Sequence, residues 1–264
     1  MKIQISPDAR PQVRTLIIAT LIALALWFIP YAEILTYPFR IFVTFIHEGG
    51  HAIAALLTGN SVASLSVAPN ASGLTETYST DGGLLSRLFI SSAGYIGAIV
   101  YGTLLLFLIR RAVAVRIVLI GTAVYIFALT FFFGLFNPIW NLSGLSAIPF
   151  TLFAGILLSA ALVAIARYAS PRVASFFVSF LAVQCVLNAL TDLKAVLFLS
   201  SPWGASVPND AQNMANATGI PAFIWAILWI GVSLGLLSMA MRFYAISKHP
   251  PQQQDLPFEE PLDV

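Results

Sequence analysis

The stretch Phe39–Leu57, FRIFVTFIHEGGHAIAALL, decides how the rest of the chain is read. It is apolar throughout except for Arg40 and the cluster His47, Glu48 and His51, which forms the pattern H-E-x-x-H. Positions four apart on a helix share a face, so both imidazoles reach the same point. Glu48 stands beside them, where its carboxylate can take a proton from water. Two imidazoles and an adjacent carboxylate in this spacing point to a zinc site in which Glu48 is the base and not a ligand. Three ionisable groups in so apolar a run are expensive and need a functional reason. The pair Gly49-Gly50 works against the helix by about 1 kcal/mol per residue relative to alanine. A chance pentapeptide at a helix end is the competing reading, and the apolar context argues against it.

Composition sets the solvent. Of 264 residues, 59% are hydrophobic and only 9% charged, with mean hydropathy +0.89. Soluble domains carry about 25% charged residues. So few charges cannot cover a surface in water, and the chain reads as an all-α polytopic membrane protein. The net charge of +2 is small, and no basic cluster interleaved with aromatics suggests a nucleic-acid partner. The single cysteine, Cys185, has no partner in the chain for a disulfide and reads as a small core residue. Lys2, Arg10 and Arg14 ahead of an apolar run imitate a signal peptide, but the run continues through Trp27 and Phe28 to Pro30 with no cleavage pattern after it. It reads as an uncleaved first span.

A span needs roughly 20 apolar residues. Segments 15–36, 38–58, 88–109, 114–134, 147–167, 173–199 and 219–243 qualify, giving six to seven transmembrane helices. Tyr37-Pro38 separates the first from the motif segment, since a residue before proline is biased away from helix. Arg110-Arg111, Asn137-Pro138 with Asn141, and Ser170-Pro171 mark later breaks, and Ser200 to Asn216 reads as a polar loop. The chain divides into a polar N-terminus (1–14), one transmembrane domain (15–243) and a disordered polar tail (244–264). Residues 61–80 break the helical pattern. SVASLSVAP and LTETYST alternate polar and apolar around the turn-forming Pro69–Gly73, which reads as a short β-hairpin-like segment after the motif helix. Stretches 110–116, 167–172 and 242–248 hold seven Lys or Arg, whereas 59–83, 135–146 and 200–218 hold none. The positive-inside rule puts the first set in the cytoplasm. Lys2, Arg10 and Arg14 want the same side. Seven crossings forbid that unless the motif segment is re-entrant or one charge signal is overridden.

A catalytic zinc takes three protein ligands and keeps one position open. Beyond the histidines the candidates are His249 in the tail, Cys185, Glu33 at the end of the first span, Glu76 and Asp210 in polar loops, and Asp192. Asp192 is favoured. It lies in a span otherwise largely apolar, where an unpaired carboxylate would cost several kcal/mol, and ligation removes that cost. Counted from the helix ends near Leu57 and Ser200, His51 and Asp192 fall at similar depth, roughly 9 and 12 Å. Asn188, one turn before Asp192, shares its face and is suited to orient the ligand or a substrate carbonyl. Gly94, Gly97 and Gly102 on one span allow close helix packing.

The membrane-embedded HEGGH, the hairpin-like segment after it, the glycine-rich SSAGYIGAIVYG (91–102) and the aspartate in NALTDLK (188–194) together resemble the site-2 protease class of intramembrane zinc metalloproteases, most closely its divergent bacterial branch. That resemblance implies Zn2+ held by His47, His51 and Asp192, with Glu48 as general base. It implies a membrane-protein substrate and residence as a multi-pass protein of a bacterial cell membrane. Better-known members place their aspartate before a glycine and after prolines, whereas Leu193 follows Asp192 here. The loops are too short for a PDZ-like insertion. The expected activity is zinc-dependent endopeptidase cleavage within or beside a membrane span. A non-catalytic transporter or metal-binding scaffold is the alternative, and only hydrolysis requires the Glu48 carboxylate.

Overall fold

A computed structural model describes residues 10–78, 83–110, 114–200 and 209–245. Nine α-helices and one hairpin make up the described residues. Helix α1 (Arg10–Ala25) is followed by a single 3-10 turn and α2 (Glu33–Leu57), which carries the motif. The hairpin is β1 (Ser61–Val67) and β2 (Gly73–Tyr78), antiparallel, with a bulge between Val62 and Ser64. Then come α3 (Leu84–Arg110), α4 (Val115–Ala128), a π-helical segment (Leu129–Phe136), α5 (Asn137–Asn141), α6 (Ile148–Tyr168), α7 (Pro171–Leu199), α8 (Asp210–Thr218) and α9 (Ala222–Ala245).

Five stretches are long and apolar enough to cross a membrane: Leu84–Ile109, Val115–Asn141, Leu145–Tyr168, Pro171–Leu199 and Ala222–Arg242. The protein is a multi-pass integral membrane protein. At 16 residues, α1 is about 24 Å long, short of the ~30 Å hydrocarbon layer. Helix α2, with Glu33, Arg40 and the motif, is not among the five. The break expected at Tyr37-Pro38 lies earlier. Ile29, before Pro30, is extended (φ −94°, ψ 121°), and Tyr31 has φ +62°. Pro30 therefore supplies the X-Pro restriction, and α2 starts at Glu33 and runs through Pro38. A second boundary also moves. Asn137-Pro138 does not end its span, which continues through the π segment into α5 and stops at Leu142 and Gly144, both left-handed. Pro138 lacks the amide that an α-helix would use there, and the wider π turn carries the chain past it. The tail from residue 246, with His249, lies outside the described residues, as do Lys2 and Arg111.

Two cores position the site. The larger gathers Phe42, Phe45 and Ile46 of α2 with Leu65 of β1, Ile99 and Leu105 of α3, Leu119 and Ile126 of α4, and Cys185 of α7. The smaller joins Tyr95 of α3 and Leu193 of α7 to Ala211 and Met214 of α8 and Trp229 of α9. The glycine-rich span packs as expected. A Cβ at Gly102 would come within 2.9 Å of Ala182 O and 3.0 Å of Cys185 Cβ.

Candidate active site

The unfavourable glycine pair of the motif has a steric reason. A Cβ at Gly49 would strike the Tyr125 hydroxyl and Leu129 of the fourth helix and its π extension, and one at Gly50 would strike Ala93 O of α3. Closeness lets α3 reach the imidazoles: Gly94 lies directly against both, where any side chain would collide with His47 and His51. One turn earlier, Ile90 O lies 2.7 Å from His51 Nδ1. A carbonyl only accepts, so Nδ1 carries the proton and the neutral ring keeps its lone pair on Nε2.

That Nε2 lies 3.1 Å from His47 Nε2. Asp210, the first residue of α8, closes the triangle, with Oδ2 3.4 Å from His47 Nε2 and 3.3 Å from His51 Nε2. Ligands about 2.0–2.1 Å from a tetrahedral zinc lie roughly 3.3–3.4 Å from one another. The triangle thus has the dimensions of one face of a metal's coordination shell. Its chemistry agrees, because lone pairs and a carboxylate crowded together call for a cation between them. His47, His51 and Asp210 could hold a metal ion, and they are the one such group among the described residues. When the imidazoles are protonated instead, burial still opposes ionisation of Asp210, but their charge and N–H donation hold its carboxyl well below the usual carboxylate range.

Glu48 is buried beside this triangle at 5% exposure. Thr75 Oγ1, on β2, donates to Glu48 Oε2 at 2.8 Å. Gly73, at the start of β2, leaves the room that the Glu48 carboxylate occupies. The cavity over these groups measures about 700 Å³ and is walled by Gly73, Leu74, Thr75 and Thr77 on one side and by Arg87, Asn213 and Asp210 on the other.

A family model described as Peptidase M50B-like matches residues 17–240. The chain belongs to the Peptidase M50B-like family. It is accordingly a membrane metallopeptidase of the site-2 protease kind. No curated protein and no solved structure matches it. The matched stretch takes in the motif helix, the hairpin and both aspartates under consideration.

In this M50B-like protein His47, Glu48 and His51 lie together as their spacing requires, but Asp192 does not join them. It shares a smaller cavity of about 260 Å³ with Arg40, Asn188, His47 and Glu48, and forms no ion pair with either imidazole. Helix α7 carries Asp192 to the wall of a polar cleft that His47 and Glu48 also line. Asn188 is turned back along its own helix, with Nδ2 donating to Gln184 O at 2.9 Å and to Gln184 Oε1 at 3.1 Å. Glu76, another candidate, accepts from Ser64 Oγ at 2.9 Å and from Ser143 Oγ, tying the hairpin to the loop after α5.

Asp210 lies on a helix, α8, where the sequence suggests a polar loop. Its helix had a signal. Asn209 accepts from Gln212 N at 3.0 Å as an N-cap, Ala211 and Met214 are buried three apart, and Gly219 closes the helix at φ +75°.

Proposed function

We propose that this metallopeptidase is a zinc-dependent endopeptidase that cuts a membrane-spanning or membrane-adjacent protein. His47, His51 and Asp210 are its metal ligands and Glu48 its general base. The convergence of the two Nε2 atoms and Asp210 Oδ2 beside a buried carboxylate carries this reading. When bound, the metal supplies a Lewis acid that polarises the scissile carbonyl and eases ionisation of water. Glu48 accepts the proton of the attacking water and passes it to the leaving amine nitrogen. Thr75 holds one carboxylate oxygen, which fixes the direction of the other.

A helical substrate hides its carbonyls in hydrogen bonds and must unwind to be cut. The hairpin supports an extended partner. The outer edge of β1 is occupied: Asn137 Nδ2 donates to Val62 O at 2.7 Å, Asn141 Nδ2 to Ala63 O at 3.3 Å, and Val67 N to Thr151 Oγ1 at 3.0 Å. Among the described residues no main-chain group pairs with the outer edge of β2, which borders the cavity. A substrate strand added there would pass over Glu48.

The test compares wild type with Glu48→Gln, both reconstituted in liposomes with a single-span reporter protein. Glu48→Gln should keep its zinc and lose at least about 10²-fold in cleavage rate. Cleavage at the wild-type rate by this variant would rule the assignment out.

A further inference from the structure

The large and small cavities meet over the motif. Four residues line both: His47, Glu48, Gly73 and Tyr95. A substrate strand running from one cleft to the other crosses this junction, and its scissile bond must sit there, within reach of Glu48. Of the four, one is a proposed ligand, one the proposed base and one has no side chain. Tyr95 has no role yet.

Tyr95 sits on α3 next to Gly94 and is only 7% exposed. A phenol so deeply buried normally finds a hydrogen-bond partner. Tyr95 has none among the described residues, and its hydroxyl is not among the oxygens sealed away from solvent. The hydroxyl is thus a spare donor open to the junction. Its ring is held firmly. The ring edge meets His47 at a centroid distance of 4.6 Å, and the other contact is with Trp229 at 5.5 Å. Trp229 is fully buried and donates from Nε1 to Ser92 Oγ at 3.0 Å. A donor fixed in this way needs little reorganisation when charge develops nearby. Asn188, the side-chain amide that lines the smaller cavity, already spends its N–H groups on Gln184.

We propose that Tyr95 is a catalytic residue whose hydroxyl hydrogen-bonds the scissile carbonyl oxygen as that oxygen gains negative charge. The proposal rests on the endopeptidase reading of the same site. Water oxygen bonds to the carbonyl carbon, its proton goes to Glu48, and the carbonyl π pair moves onto the oxygen facing Tyr95. The C–N bond then breaks, the carbonyl re-forms, and Glu48 returns the proton to the amine. Tyr95 donates a hydrogen bond throughout and keeps its proton.

Tyr95→Phe keeps both ring contacts and removes only the hydroxyl. With the single-span reporter in liposomes, Tyr95→Phe should retain zinc and lower kcat about 10²-fold with little change in KM. A phosphinate analogue of the cleaved bond, tetrahedral and anionic where the carbonyl stood, should bind more weakly by a similar factor. Binding of the intact reporter, measured in a Glu48→Gln background, should stay unchanged. Wild-type kcat and phosphinate affinity in Tyr95→Phe would overturn the proposal. So would loss of zinc or equal weakening of reporter and phosphinate, which marks a merely structural tyrosine. If wild type cleaves no faster than Glu48→Gln, the endopeptidase reading itself falls, a result that Tyr95→Phe cannot imitate.

Discussion

Helices α2 and α8 contribute to the same cluster and are built on different terms. α2 has 25 residues, buries Phe42, Phe45 and Ile46 in the larger core, and holds both imidazoles between α3 and the hairpin. α8 has 9 residues, lies outside the five candidate spans, and offers Asp210 from its first position. It is docked by Ala211 and Met214 against Trp229 in the smaller core and capped by Asn209. The histidine pair is therefore part of the bundle, whereas the third donor depends on one short helix with few anchors. Damage beside α2 should abolish the site, and damage to α8 should weaken it by degrees.

The largest effect is expected at Gly94. In Gly94→Val the new side chain meets both imidazoles, so metal content and cleavage should both vanish even where the protein still inserts. Zinc analysis after detergent purification checks this. Met214→Ala acts on the other half. Met214 is 1% exposed, and truncating a buried methionine costs about 2–5 kcal/mol. Its cost should fall on α8 docking, so zinc affinity in a chelator competition should drop while the melting of the remaining bundle changes little. Asn209→Ala is the mildest. Loss of an N-cap costs about 1 kcal/mol, roughly a fivefold weakening of zinc in the same competition. A drop as large as that of Gly94→Val would mean α8 is no less integral than α2.

The same contrast explains what could be read from the chain. His47, Glu48 and His51 were legible because one helix fixes their geometry locally, and spacing alone puts them on one face. The hairpin was legible from alternation around Pro69–Gly73, and β1 and β2 lie there. The pairing of Asp210 with the histidines was not legible. It depends on how α8 docks against α3 and α9, a tertiary fact that no local period encodes. Asp192 is the stronger candidate on sequence grounds because a carboxylate in an apolar stretch calls for a cation, and that Arg40 lines the same cleft is a tertiary fact. The glycine pair looked like a defect on propensity grounds. It is the condition for α3 and Tyr125 to approach the motif.

The claim that Asp210 completes a metal site with His47 and His51 is tested most directly by metal content. Wild type, Asp210→Ala and Asp192→Asn would be purified side by side and zinc per chain measured by mass spectrometry after the same chelator wash. The expected result is about one zinc per chain in wild type and in Asp192→Asn, and loss of zinc in Asp210→Ala. Zinc retained in Asp210→Ala and lost in Asp192→Asn would contradict it.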